Sequence, residues 1–227
     1  MVDIETTADG SQTLYVPALD EHYHSVKGAI TESVHIFINT GLKQCKAVQP
    51  HILEVGFGTG LNAFLTLQEA EETERRLFYT SFETYPLQMK VVEKLDYPKL
   101  VSANAAQYYV EMHKSKWGVW NDITPHFSLR KIESDFVTYP IEEFYDVIYF
   151  DAFAPEKQSE MWSQDIFDKL FAHLNDGGIL VTYCAKGIVR RMLQASGFVV
   201  ERLAGPPGGK REILRATKLC NSDDYVN

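Results

Sequence analysis

Three glycines, Gly56, Gly58 and Gly60, are closely spaced in the stretch HILEVGFGTGLN (51–62), and two carboxylates, Glu83 and Asp151, stand at the ends of later apolar runs. Glycines spaced in this way let a backbone adopt positive φ and approach a ligand with no Cβ in between. The pattern G-F-G-T-G differs from the dinucleotide G-x-G-x-x-G, and no Gly-Lys-Ser/Thr follows, which excludes a Walker-type loop. Glu83, in SFETYP, is placed to lie at the carboxyl end of a strand, where open α/β sheets put their ligands. A carboxylate there accepts hydrogen bonds from both hydroxyls of a ribose. The glycine turn is therefore read as holding an adenosine-type cofactor. Asp151 closes the run YDVIYFD, and a charge at the end of an apolar strand is costly unless it is hydrated, paired or used. That makes Asp151 the first candidate for chemistry, with a cap for the 152–160 segment as its structural alternative.

These residues need elements to position them. Apolar runs at 51–56, 77–83, 126–132, 145–151 and 178–184 read as strands, several so continuously apolar that both faces must be covered. Between them lie helical patterns. MWSQDIFDKLFAHL (161–174) repeats Trp162, Ile166, Phe167, Leu170, Phe171 and Leu174 at helical spacing, with Gly177-Gly178 as its expected stop. A second helix follows Lys186 as far as Ala195. GFVVERL and KREILRA then form two closing strands around the loop AGPPGG. Alternating strands and helices define an α/β, three-layered, mostly parallel sheet. Residues 1–48 give short, mixed signals and are set apart as an N-terminal extension near the mouth where substrate enters, ahead of a main unit at 49–227.

Composition narrows the function. With 227 residues, 45% hydrophobic and 23% charged, the chain reads as globular. No apolar run reaches the roughly 18 residues of a membrane span, and the acidic, polar start has no signal core. A cytoplasmic location is the expectation. The three cysteines and seven histidines are scattered without ligand spacing, so no metal site is expected. Net charge is −9, which speaks against a polyanionic partner. Residues 186–215 depart from that average: Lys186, Arg190, Arg191, Arg202, Lys210, Arg211 and Arg215 face only Glu201 and Glu212. Screening over about 8–10 Å allows such a face to bind phosphates on an acidic protein, although a solvated face is the plainer reading.

Taken together, EVGFGTGLN, SFETYPL, DAFAPEKQSEMW, KGIVRRMLQASGF and GKREIL resemble the methyltransferase domain of the MnmC family of tRNA wobble-uridine modification enzymes. The likeness covers most of the chain, and DAFAP…MW with GFGTGLN is its distinctive pair. The resemblance implies a Rossmann-like, seven-stranded S-adenosylmethionine-dependent methyltransferase fold. It implies methyl transfer from S-adenosylmethionine to the exocyclic amine of 5-aminomethyl-2-thiouridine in tRNA. Glu54, Gly56, Phe57, Gly58, Gly60 and Asn62 would then form the cofactor loop, with Glu83 on the ribose and Asp151 beside the sulfonium and the amine. Phe153, Pro155 and Lys186 would border the substrate, and Lys210 and Arg211 the tRNA backbone.

Three departures from the family pattern bear on this, the first being that YHSVKGAITESVHIFI matches the family's entry segment only loosely. The acidic residue that reads the adenine is Glu133, preceded by Ile132 rather than glycine, and Asp135 is its rival. The flavin-dependent oxidase domain of larger members has no counterpart among these residues, so a separate enzyme is expected to supply the aminomethyl precursor. Methyl transfer needs pre-aligned reactants above all, worth about 7–11 kcal/mol. It also needs a neutral amine, which a carboxylate such as Asp151 can orient and help to deprotonate. Phe153, Tyr183 or Trp162 could stack the base, although helical spacing favours the core for Trp162. The competing readings are a small-molecule methyltransferase, an aminopropyltransferase of the spermidine-synthase type, and a non-catalytic nucleotide- or tRNA-binding module.

Overall fold

The structure, a computed structural model describing residues 2–220, begins with a small antiparallel sheet of β1 (Asp3–Thr6), β2 (Gln12–Val16) and β3 (Glu21–His22). A short helix, α1 (Ala29–Ser33), runs directly into a π-helical turn (Val34–Asn39). Ile36, Phe37 and Ile38 of that turn are buried in the main core, and the Phe37 ring lies 5.1 Å from that of Tyr149. The chain then alternates: β4 (His51–Val55), α2 (Leu61–Thr73), β5 (Leu77–Glu83), and the helices α3 (Met89–Val92), α4 (Tyr97–Val101) and α5 (Ala106–Lys114). After these come β6 (Asn121–Thr124), β7 (Phe127–Glu133), β8 (Tyr145–Phe150), α6 (Gln164–Ala172), β9 (Leu174–Thr182), α7 (Gly187–Ala195), β10 (Val199–Ala204) and β11 (Glu212–Thr217). Residues 221–227 of the expected main unit lie outside the described residues.

The large sheet has eight strands in the order β10-β11-β9-β8-β4-β5-β7-β6. β9, β8, β4, β5 and β7 run parallel, whereas β11 is antiparallel to β9 and β10, and β6 is antiparallel to β7. Strand residues alternate between the two faces, as a pleated backbone requires. In β8, Val147 and Tyr149 join one core while Ile148 and Phe150 join the other. The first core takes in α2 and α5 together with the π-helical turn; the second takes in Ile166, Phe167 and Leu170 of α6 and Val189 and Leu193 of α7. Strand order reverses between β4 and β8, so the crevice for a ligand opens where these strands end. The glycine turn, Glu83 and Asp151 follow or close β4, β5 and β8 at those same ends.

Two expectations change. β6 adds an eighth strand to the seven, because a four-residue edge strand, NDIT, is too short to leave a periodic signal. The helix expected at 161–174 spans only Gln164–Ala172, started by Ser163, whose Oγ accepts the Ile166 N–H. Gly177 and Gly178 do not stop it; they form a bulge inside β9, where register against β8 shifts between the Tyr145 and Val147 pairs. A Cβ on Gly178 would meet the Asn175 carbonyl oxygen at 2.7 Å, so close approach of the backbone explains that glycine. Trp162 lies before the helix, is 6% exposed, and donates from Nε1 to the Phe153 carbonyl at 2.7 Å.

Because Phe37 inserts beside Tyr149, residues of the N-terminal region hold the main sheet together. Phe37→Ala is expected to lower stability by about 3–5 kcal/mol, as for other buried phenylalanines. Urea unfolding should show the loss in one cooperative transition; a separate, unaffected main transition would contradict the shared core.

Candidate active site

The turn after β4 is held in place by β5. The N–H groups of Gly56 and Phe57 both donate to the Phe82 carbonyl, at 3.1 and 2.9 Å. Gly58 N–H donates to Glu83 Oε2 at 2.8 Å, while Glu83 Oε1 accepts from Tyr85 N–H at 2.8 Å. Gly56 and Gly58 have φ of 100° and 50°, a region that side chains disfavour. A Cβ on Gly56 would stand 2.8 Å from the Asp151 carbonyl, and one on Gly58 would stand 2.9 Å from the Tyr23 ring. The apex, Thr59, is clamped from outside the turn. His24 Nε2 bonds its hydroxyl at 2.7 Å, and its carbonyl accepts from Tyr109 OH at 2.7 Å and His113 Nε2 at 3.0 Å. Burial holds His24 and His113 down to about 4, so both stay neutral at physiological pH. Lys131, fully buried, donates to the His113 carbonyl at 2.7 Å and sits 4.6 Å over the Trp117 ring.

Asp151 follows β8 directly. Asn62, in the first turn of α2, donates from Nδ2 to Asp151 Oδ2 at 2.8 Å. Burial pushes the Asp151 carboxyl up to about 7, the Asn62 hydrogen bond works against that rise, and the Glu32 charge adds to it. Beneath lies Glu54, fully buried, with Ser81 Oγ donating to its Oε2 at 2.5 Å. Burial lifts Glu54 to about 8. At pH 7 Glu54 therefore keeps its proton, and Asp151 titrates around neutrality.

A cavity of about 760 Å³ opens above these groups. Gly56, Phe57, Gly58, Asn62, Glu83, Asp151, Phe153 and Lys210 line it, as does Tyr183. Seven other residues expected at the site lie outside it. Glu54 is register partner to Ser81, and strand alternation turns it onto the sheet face of Ile52 and Tyr79, whose core takes in α2, instead of toward a ligand. Gly60, at φ 72°, caps α2, and a Cβ there would meet His113. Glu133 is exposed, and so is its rival Asp135, which caps its own turn by accepting from Val137 N–H; Ser134 and Phe136 line the cavity in their place. Pro155 is half-buried beside the lining residue Ala154, and Lys186 forms an exposed ion pair with Glu156. Arg211 is exposed outside the cavity, whereas Lys210 turns inward. Much of the basic 186–215 stretch is already paired: Arg202 with Glu212, Arg215 with Glu201, and Lys210 with Glu32.

Sequence reasoning missed Tyr23, His24 and Glu32, which the N-terminal region brings to the cavity. Tyr23 meets Phe153 edge-on at 5.1 Å. The only sequence signal was the aromatic and polar cluster HYH in a segment without periodicity. Among the described residues no group of three or more His, Cys, Asp or Glu could hold a metal ion, and no helix is long and apolar enough to cross a membrane.

Sheet order, glycine cradle and strand-end carboxylates form the arrangement found in S-adenosyl-L-methionine-dependent methyltransferases. A family described in those words matches residues 127–219. More narrowly, the chain is MnmC-like. It is 31% identical over 223 residues to the tRNA 5-methylaminomethyl-2-thiouridine biosynthesis bifunctional protein MnmC of Cupriavidus metallidurans, covering 90% of this chain and 32% of that one. The protein of the same name from Leptospira interrogans is 30% identical, covering 86% and 32%. The chain thus spans about a third of the length of these curated relatives. The crystal structure of MnmC2 from Aquifex aeolicus superposes with a TM-score of 0.74 at 26% identity, over 96% of this chain and 70% of that one. Spermidine synthase from Thermotoga maritima shares the fold, with a TM-score of 0.63 at 13% identity over 100% and 72%.

The cradle fits the cofactor: at Gly56 and Gly58 the bare backbone forms the cavity wall at positive φ, where a Cβ would press on the Asp151 carbonyl and the Tyr23 ring, and Glu83 keeps acceptor capacity beside them. Gly58→Val is strained by its positive φ and by the Tyr23 ring, and variant protein shown by circular dichroism to be folded is expected to lose a micromolar affinity, about −8 kcal/mol, for the cofactor. Calorimetry showing unchanged S-adenosylmethionine binding would refute the cradle. Glu83→Ala should weaken the same binding by about 1.5–3 kcal/mol, since a charged acceptor is lost and Gly58 N–H is released. An unaltered dissociation constant would move Glu83 away from the cofactor.

Proposed function

We propose that the protein transfers a methyl group from S-adenosylmethionine to the exocyclic amine of 5-aminomethyl-(2-thio)uridine at the wobble position of tRNA. The observation that carries this reading is the Asp151 carboxylate, hydrogen-bonded by Asn62 and set beside the Gly56 turn in a cavity large enough for cofactor and base. The names of the relatives supply the substrate class. Residues 1–48 border the mouth in this proposal and 49–227 carry the cofactor. Methyl transfer does not create an amine, so a separate activity supplies the aminomethyl group, and the reaction belongs to the cytoplasm with its tRNA.

S-adenosylmethionine, when bound, supplies an electrophilic methyl on a sulfonium. The turn of Gly56 to Gly58 and Glu83 hold it, with Ser134 and Phe136 bordering the same cavity. Asp151 accepts a hydrogen bond from the substrate amine, orients its lone pair and takes up a proton as the nitrogen becomes neutral. Asn62 keeps the Asp151 carboxylate aimed. Tyr23 and Phe153, in edge-on contact, offer aromatic faces to a base turned out of its strand, each worth about 1–3 kcal/mol per stacked base. Tyr183 donates to the Ala152 carbonyl at 2.9 Å and so fixes the backbone after Asp151.

The direct test incubates the purified protein with labelled S-adenosylmethionine and tRNA from cells lacking the modification. Label should appear in 5-methylaminomethyl nucleosides; label elsewhere, or none, refutes the assignment. Asp151→Asn should bind cofactor and lose turnover by ~10²–10⁴-fold, the range for positioned acid–base help. The sign of the pH effect follows from the raised acid: below about 7 Asp151 holds its proton, and above it the useful carboxylate accumulates. Wild-type kcat/KM should therefore rise through pH 7, and Asp151→Asn should lack that inflection. Near-normal turnover of the variant at pH 7 would reduce Asp151 to a structural cap.

A further inference from the structure

Glu32 is 8% exposed, on α1, and far in sequence from the elements that carry the cofactor turn and Asp151. One carboxylate oxygen accepts from Ser25 N–H at 3.0 Å. The other meets Lys210 Nζ at 3.2 Å. Lys210 ends the loop AGPPGGK between β10 and β11, and its side chain is 43% exposed, so it reaches the cavity from the solvent side. Its ammonium lies 4.3 Å over the Tyr183 ring. The cavity thus contains a primary ammonium held between a buried carboxylate and an aromatic face, an arrangement that favours alkylammonium ions by charge and by the ring quadrupole. The same cavity holds Asp151, whose proton affinity responds to both Glu32 and Lys210.

We propose that Glu32 and Tyr183 form an ammonium subsite, which Lys210 fills in the free protein and which the primary ammonium of the incoming substrate takes over. The tether explains the arrangement. A buried carboxylate left without a partner is strongly destabilising, so Glu32 needs a cation while the site waits. A lysine on a solvent-side loop supplies one that can swing away, because its long side chain gains rotamer freedom on release. An aminomethyl group presents the same chemical group, NH3⁺ on a methylene, and brings it beside Asp151 to be deprotonated. A substituent carrying a carboxylate in place of the amine would face both Glu32 and Asp151 and be repelled. Selection of the aminomethyl base then needs Glu32 from the N-terminal region together with Tyr183 and Asp151 of the cofactor half.

This subsite rests on the proposed transfer to an amine, and the two are separated by experiment. Steady-state methylation of aminomethyl-tRNA is measured for wild type, Lys210→Met and Glu32→Gln, with S-adenosylmethionine affinity followed in parallel. Removing the resident ammonium should lower KM for tRNA in Lys210→Met, whereas Glu32→Gln should raise it about tenfold, both with cofactor binding unchanged. A contact of Lys210 with the tRNA backbone predicts the opposite sign, a raised KM with a flatter salt dependence, and would overturn the proposal. In the second arm, calorimetry measures n-propylammonium and n-propanol binding to each cofactor-loaded protein. Propylammonium should bind Lys210→Met about tenfold tighter than wild type, propanol should bind neither, and Glu32→Gln should lose the amine. Equal amine binding by wild type and Lys210→Met overturns the subsite, and because Lys210 lies in an exposed loop, this comparison stands if Glu32→Gln fails to fold. A wild type that binds cofactor and propylammonium but leaves aminomethyl-tRNA unmethylated refutes the transfer and not the subsite.

Discussion

Gly56 and Phe57 share a single acceptor, the Phe82 carbonyl, and that pair of hydrogen bonds joins the turn after β4 to the end of β5. Glu83, the next residue, returns the grip by accepting from Gly58. The positive φ angles of Gly56 and Gly58 are the geometric consequence, since a chain leaving β4 must double back over β5 before α2 begins. Thr59 is then clamped by His24, Tyr109 and His113, two of which come from the helix that follows α4. A ligand cradle made of backbone is stiff only if its own polar groups are occupied. Here the Phe82 carbonyl occupies the Gly56 and Phe57 N–H groups, and Tyr109 and His113 occupy the Thr59 carbonyl.

Charge in the site is arranged by depth. Glu54 lies deepest and is kept neutral by burial, Asp151 sits at the boundary with a proton affinity near neutrality, and Glu32 is balanced by Lys210. Three carboxylates in one region would repel one another if all were ionised. Protonation of one and pairing of another leave Asp151 as the group whose charge can change during a reaction. Asn62 links this to the fold, because its position in the first turn of α2 depends on the same glycine turn that lines the cavity.

The basic residues of 186–215 show the limit of counting charges along a chain. Arg202 and Arg215 reach across the β10–β11 hairpin to Glu212 and Glu201, register neighbours that linear spacing does not reveal. Lys210 is neutralised by a residue from the opposite end of the sequence. Arg211, beside it, stays on the exposed side, so two adjacent cations expected to share a role are divided by the loop that carries them.

Local physics was enough to read the alternation of strands and helices, the turn at Gly56 and Gly58, and the strand-end positions of Glu83 and Asp151. Each depends on neighbours within a few residues: continuous apolar runs for covered strands, glycines for positive φ, a charge where an apolar run stops. β6, the Gly177-Gly178 bulge and the burial of Glu54 were not legible, because edge pairing, register and face are decided by which strand lies alongside. Only the tertiary structure brought Tyr23, His24 and Glu32 to the cavity and turned Lys210 toward Tyr183. Those contacts span most of the chain and leave no periodicity, since the two ends meet over the sheet through packing rather than through any pattern of their own.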